Sequence, residues 1–236
     1  MITDYLALDI ETTGLSPEKD RIIEIGAVKY KNGRAAGEFS CLIRTYQPLP
    51  AKITALTGIT EEMLAGGCDE KTAITEFLAF AEEMPVLLGH NIGFDFSFIK
   101  AAALRYGMEF EREALDTLRF AKKLHPELES RALTALCTHY GIVQKHAHRA
   151  AEDAVSAHRL YTALAAEFPD YDGFVPQRLS YQPKKLTPMT PKQKKYLGDL
   201  LRQHGMEYTP EMELLSKSDA SRFIDRLIFT KGRSAI

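Results

Sequence analysis

Tryptophan is absent from the 236 residues, and cysteine appears only three times, at Cys41, Cys68 and Cys137. With no Cys-x-x-Cys and no adjacent Cys/His spacing, a disulfide framework and a thiolate zinc site are excluded, and the cysteines read as free thiols of a reducing compartment. No window approaches about eighteen consecutive apolar residues, so a membrane-spanning helix is not expected. The opening Met-Ile-Thr-Asp-Tyr carries Asp4 where a secretory leader would be basic, and the cytoplasm is the expected location. A GxxxxGK[ST] loop is missing, which excludes a nucleotide-switch ATPase or GTPase of that type. Repeats and low-complexity stretches are missing too. What remains is 45% hydrophobic and 26% charged, a globular rather than a disordered composition. At roughly 150 residues per domain, the length gives one enzyme-sized domain and a remainder.

The net charge of −2 conceals a division: residues 170–236 carry +4 and residues 1–169 carry −6. An acidic body with a basic tail is an asymmetry that calls for a partner or a substrate.

Strands lead the chain. Tyr5 to Ile10 is a short apolar run, Arg21 to Tyr30 holds a second, and Asn32-Gly33 supplies a tight hairpin turn before a third around Glu38 to Ile43. After Asp69, the spacing of Ala73, Ile74, Phe77, Leu78 and Ala81 predicts a helix stopped by Pro85, and Val86-Leu87-Leu88-Gly89 reads as a buried strand. Helices are expected at roughly 95–106, 117–124, 131–140 and 152–167. A meander followed by alternating helix and strand implies an α/β fold, a mixed sheet covered by helices. Five prolines between Pro169 and Pro191 then mark a semi-rigid linker. The expected boundaries are a body at 1–168, a Pro-rich linker at 169–190 and a small helical module at 191–236. Thr190-Pro191-Lys192-Gln193 is a capping box opening a helix with Tyr196, Leu197, Leu200 and Leu201 on one face. A second helix begins near Ser218, with Ala220, Phe223, Ile224, Leu227 and Ile228 on its apolar side.

Two acids interrupt the first strand, in Leu6-Ala7-Leu8-Asp9-Ile10-Glu11. Residues two apart on a strand share a face, so Asp9 and Glu11 project together while Leu8 and Ile10 point the other way. Like charges at that spacing repel, and a sheet desolvates them, so a compensating cation is the natural companion. Taken alone, the pair is equally well read as a strand end beside a solvated acid. Asp95, in Gly89-His90-Asn91-Ile92-Gly93-Phe94-Asp95, starts a helix beyond a strand's carboxyl end, where open α/β sheets place ligands. Then His148-Arg149-Ala150-Ala151-Glu152-Asp153 puts a histidine five residues before an aspartate that enters an amphipathic helix.

Together, Asp9-Ile10-Glu11-Thr12-Thr13-Gly14-Leu15, Asn91-x-x-Phe94-Asp95 and His148-Arg149-Ala150-x-x-Asp153-Ala154 resemble the three motifs of the DEDDh, or DnaQ-like, 3′–5′ exonucleases. The likeness covers roughly residues 3–166. It is greatest to the proofreading epsilon subunit of bacterial DNA polymerase III and to the exonuclease domain of the Gram-positive replicative polymerase. It implies a ribonuclease H-like fold, a mixed five-stranded sheet flanked by helices. Hydrolysis of a phosphodiester needs a nucleophilic water and charge stabilisation on phosphate and leaving oxygen, which two divalent ions supply. An all-oxygen ligand set favours Mg²⁺ or Mn²⁺. By resemblance, Asp9, Glu11 and Asp153 hold one ion, Asp9 reaches the second, and Asp95 acts on that second ion through water. His148 is the side chain suited to take the proton from the attacking water.

The same resemblance assigns Thr12, Thr13 and Gly14 to the terminal nucleotide through backbone N–H groups, and Leu15 to its base, where ordinary core packing is the alternative for Leu15. It also assigns Thr57, where the epsilon subunit has a histidine, and names Asn91 and Phe98 as pocket residues, Phe98 stacking on bases. Asp116 is expected to be structural, and His146 and His158 to lie on the surface. In the tail, Lys184, Lys185, Lys192, Lys194, Lys195 and Arg202 are read either as phosphate contacts or as a solvated face. The tail also resembles small helical appendages of phage and Firmicute DNA-processing proteins. The expected activity is 3′–5′ exonucleolysis of single-stranded or frayed DNA, with a DNA polymerase as a candidate partner and no membrane. The alternatives are an exoribonuclease using the same five residues, which only contacts to the 2′-OH would distinguish, and a non-catalytic polymerase-associated subunit.

Overall fold

The computed structural model describes residues 1–144, 147–184 and 187–233. In chain order the body comprises β1 (Tyr5–Thr12), β2 (Ile22–Lys31), β3 (Arg34–Leu42), α1 (Ala51–Thr57), α2 (Glu61–Ala65), α3 (Glu70–Ala81), β4 (Val86–Gly89), α4 (Gly93–Arg105), β5 (Glu113–Asp116), α5 (Thr117–Leu124), α6 (Leu133–His139), α7 (Ala150–Glu167) and β6 (Gln177–Arg178). The sheet order is β3-β2-β1-β4-β5-β6, antiparallel through β1 to β3, parallel from β1 through β4 to β5, and antiparallel again at β6. This is the mixed sheet expected, with the hairpin turn at Asn32-Gly33, where both residues take positive φ.

Alternation along β1 divides the core. Leu6, Leu8 and Ile10 face α3 and α4 with Phe77, Phe96 and Ile99, while Tyr5 and Ala7 face α7 with Leu160, Tyr161 and Leu164. Continuing that second series puts Asp9 and Glu11 on the α7 face, opposite Gly26 and Glu24 of β2 in register. Gly26 lets α7 start against the sheet, since a Cβ there would lie 2.0 Å from the Ala151 nitrogen. Gly26→Ala therefore forces α7 outward. We expect a loss of about 3 kcal/mol in stability, read as a lower urea midpoint at unchanged slope, and loss of the nuclease function proposed below, because His148 and Asp153 ride on that helix start.

Three expectations are corrected. The sheet has a sixth strand, β6, which lies inside the stretch read as linker. The compact units divide between Gln182 and Pro183 rather than at 168, because Phe174, Leu179 and Tyr181 pack on the two core clusters and Gln177 and Arg178 pair with β5. His158 is not a surface residue: it is half-buried, stacks on Tyr30 at 3.6 Å and shares a 2.8 Å hydrogen bond with the Tyr5 hydroxyl. Burial holds its imidazole down at about 4. His146 lies outside the described residues. Cys41, Cys68 and Cys137 are free thiols, and no described helix is long and apolar enough to cross a membrane.

The second unit, Pro183–Ile236, holds among its described residues two α-helices with a 3-10 turn, Pro210–Leu214, between them. The capping box at Thr190 is formed, opening α8 (Pro191–Gln203). Leu197, Leu200 and Leu201 are buried with Ala220, Phe223, Ile224 and Leu227 of α9 (Lys217–Arg233). Tyr196 and Ile228, expected on the apolar faces, are instead exposed.

Candidate active site

The site is built at the carboxyl end of β1 from three elements. β1 supplies Asp9 and Glu11. β4 is short and stops at Gly89, so the next β1 residues run past it, and the Asp95 carboxylate accepts the Ile10 N–H at 3.0 Å from the first turn of α4. That bond locks Asp95, 4% exposed, against the acids of β1.

α7 supplies the third acid. Asp153 sits one turn into the helix, where its Oδ2 accepts the His148 N–H at 3.0 Å and its Oδ1 accepts Gln144 Nε2 at 3.0 Å. His148 holds φ +63°, a left-handed conformation costly for a side chain other than glycine and stabilised here by the bond to Asp153. As a result, donor atoms of Glu11, His148 and Asp153 all lie within 4.8 Å of one another.

Charge confirms the crowding. Burial first, then the charges of Asp95, Asp153, Glu11 and Glu24, raise Asp9 well above the carboxylate range. Burial and the carboxylates of Asp153, Glu24 and Asp95 push Glu11 up to about 8. Asp95 is raised chiefly by burial, against the Ile10 N–H, and Asp153 likewise, against the His148 N–H. Four acids so destabilised in their ionised forms fit a divalent cation, and their oxygen donors suit a hard one.

The substrate-side residues fare unevenly. Leu15 is 83% exposed, so ordinary core packing is not its role. Asn91 is exposed, at φ +67°, with its N–H held by Asp116 Oδ1. Asp116 also caps α5 through Leu118 N–H, the structural role expected of it. Thr13 is not free to offer its N–H, which donates to Arg21 O, and its hydroxyl accepts Arg21 N–H and donates to Gln47. The Thr12 hydroxyl donates to the Gly14 carbonyl at 2.6 Å. Thr57 is buried, its hydroxyl donating to Ile53 O and accepting Ile59 N–H. Phe98 is 1% exposed and packed in the core beside Phe94, which leaves no face for a base. Lys184, Lys192, Lys194 and Lys195 belong to the second unit, where Lys194 pairs with Glu213 at 2.6 Å. Lys185 lies outside the described residues.

Sequence reasoning missed Glu24, the partner of Arg149, together with Gly26 and Gln144. A charge and a glycine inside the apolar run 22–28 were the available signals, since an isolated strand glycine marks a close backbone approach.

Residues 6–161 match the family model described as Exonuclease, of the RNase T type. The chain belongs to this exonuclease family. Among its relatives are the PolC-type DNA polymerase III of Pediococcus pentosaceus, 38% identical over 68% of this chain and 11% of that protein, and that of Caldanaerobacter subterraneus, 39% identical with the same coverage. The chain thus spans about a tenth of the length of these polymerases. Among solved structures, E. coli exonuclease I in complex with a dA16 oligonucleotide superposes with a TM-score of 0.63 at 20% identity, over 72% of this chain and 42% of that one. Exonuclease X in complex with 5′-overhanging duplex DNA gives 0.55 at 24% identity, over 69% and 92%. These structures share the ribonuclease H-like exonuclease fold.

Proposed function

We propose that the protein is a divalent-metal-dependent 3′–5′ exonuclease removing nucleoside monophosphates from single-stranded or frayed DNA ends. The observation that carries this reading is the gathering of Glu11, His148 and Asp153 within 4.8 Å of one another, with the buried carboxylates of Asp9 and Asp95 close enough to act on the cluster through their charge. Asp9, Glu11 and Asp153 would hold one Mg²⁺ or Mn²⁺, and Asp9 the second, with Asp95 acting through water. Such ions supply a nucleophile at neutral pH and neutralise charge on the attacked phosphate. His148, beside Glu11 and Asp153, takes the proton of the attacking water. Leu15 and Asn91, both exposed near the ends of β1 and β4, line the approach of the terminal nucleotide.

DNA is favoured over RNA because relatives of this chain are DNA polymerases and structural neighbours were solved with DNA. The kinship also supports polymerase association, with proofreading as the task. Lys192 and Lys195, both exposed on α8, would add phosphate contacts to an otherwise acidic protein.

The test incubates 5′-labelled single-stranded DNA and its RNA counterpart with the protein in Mg²⁺, Mn²⁺ or EDTA. A metal-dependent ladder shortening from the 3′ end, faster on DNA, is the expected result, and no cleavage of either polymer overturns the reading. Faster RNA cleavage would move the substrate assignment to RNA. In equilibrium binding titrations of the same single-stranded DNA in EDTA, where no cleavage is expected, Lys192→Gln with Lys195→Gln should reduce the slope of log affinity against log salt by about 1.4, at roughly 0.7 per single-strand phosphate contact. An unchanged slope removes the tail from the interface.

A further inference from the structure

Glu24 is a buried acid on the site's own face of the sheet that the proposed reaction does not use. It stands directly across from Glu11 on the same face of the sheet and is 2% exposed, so its carboxylate borders the cluster that would hold the cations. Nothing in its residue type keeps it from being a further ligand. Arg149 does. Its Nη2 donates to Glu24 Oε1 at 2.7 Å, and its Nε donates to Oε1 and Oε2 at 3.1 and 3.2 Å. The Ala150 N–H, at the open amino end of α7, donates to Oε2 at 3.1 Å. Both oxygens are therefore engaged, in the forked geometry that guanidinium and carboxylate share.

The same contacts fix a peptide. Arg149 and Ala150 follow His148 directly, and His148 is bound on its own N–H by Asp153. The left-handed turn is thus pinned on one side by Asp153 and on the other by Glu24, with Gly26 allowing the helix start to reach the sheet.

We propose that Glu24 and Arg149 are a positioning clamp: Arg149 withholds Glu24 from the metal cluster, and Glu24 anchors the turn that presents His148 and Asp153. The proposal rests on the nuclease reading above for its effect on rate, but its effect on cation binding stands apart from any substrate.

Two single variants should move cation affinity in opposite directions. Glu24→Gln leaves an unneutralised guanidinium beside the cluster, and Arg149→Met leaves an unneutralised carboxylate. Titrating the full chain with Mn²⁺ alone and following free Mn²⁺ by electron paramagnetic resonance, we expect half-saturation to rise about five-fold in Glu24→Gln and to fall about five-fold in Arg149→Met, each charge acting at close range in a partly desolvated site. The double variant, with both charges gone, should return near the wild-type value. In single-strand cleavage, kcat should drop about ten-fold in all three, a loss of the size that supporting residues around metal ligands produce, with KM changed less than two-fold. Shifts of the same sign in the two single variants, or both within two-fold of wild type, overturn the clamp. So does a KM effect confined to Arg149→Met, which would make Arg149 a substrate contact. If wild-type protein cleaves nothing, the nuclease reading fails while the Mn²⁺ titrations still decide the clamp.

Discussion

Asp9→Asn should lower nuclease activity by roughly 1,000-fold or more, the scale of losing a group that organises transition-state charge, while raising the thermal stability of the metal-free protein. The two effects have one cause. Asp9 shares its face of β1 with Glu11, and the charges of Asp95, Asp153 and Glu11 all act on it, so in the absence of a cation burial and like charge oppose its ionised form. Glu11 shows the direction of the pH dependence. Its ordinary value of 4.5 is raised to about 8 in the folded protein, so folding favours its protonated form. The stability it contributes is complete below about pH 4.5 and is lost as pH rises through 8. Asp9, Asp95 and Asp153 are raised in the same direction. In EDTA, wild-type protein should therefore melt at progressively lower temperature between pH 5 and 8, relative to Asp9→Asn, by roughly 5 °C at the alkaline end for a chain of this size. Millimolar Mn²⁺ should abolish most of that gap at pH 8 and little of it at pH 5. Parallel melting curves for the two proteins across that range would show that the acids do not repel as described.

His148→Ala should reduce kcat by roughly 100- to 10,000-fold, the range that general base catalysis provides, with Mn²⁺ half-saturation nearly unchanged. The distinction matters because the imidazole lies within 4.8 Å of donor atoms on Glu11 and Asp153 and is placed to serve either as a base or as a ligand. Hard cations prefer the oxygens already present, which leaves the imidazole to handle the proton. A several-fold loss of Mn²⁺ affinity accompanying the fall in kcat would make it a ligand instead. The left-handed backbone at His148 gives a second handle. His148→Gly should adopt that conformation with less strain and keep the fold, yet lose as much activity as alanine, since only the imidazole is missing.

Much of the site was legible because β1 is short and alternates strictly: once Leu8 and Ile10 were assigned to the core, Asp9 and Glu11 had to share the other face. The hairpin at Asn32-Gly33 and the capping box at Thr190 were legible for the same reason, each being decided by residues within four positions. Features decided across long separations were not. The Glu24 carboxylate meets Arg149 and Ala150 from 125 and 126 positions away, and neither segment announces the other. Phe98 was misplaced because α4 buries Asp95, Phe96, Phe98, Ile99, Ala101, Ala102 and Ala103, so the helix has little polar surface to indicate which aromatic points where. The proline-rich stretch after residue 168 was read as spacer because proline favours extended chain, and an extended chain is also what a sheet edge accepts, as β6 does. α1 and α2, seven and five residues long, are too short to display a helical period.

The lateness of α7 in the chain governs when this protein becomes an enzyme. During synthesis Asp9 and Glu11 emerge before Asp95, and the turn bearing His148 and the helix bearing Asp153 follow more than 120 residues after Gly26, so they can seat against it only once that whole intervening stretch has emerged. Contacts of such separation form late in folding. Until then the acids of β1 lack the third acid and the histidine, so on the proposed function the capacity to degrade nucleic acid would arise together with the completed sheet-and-helix body, and cleavage would serve as a direct assay of native folding.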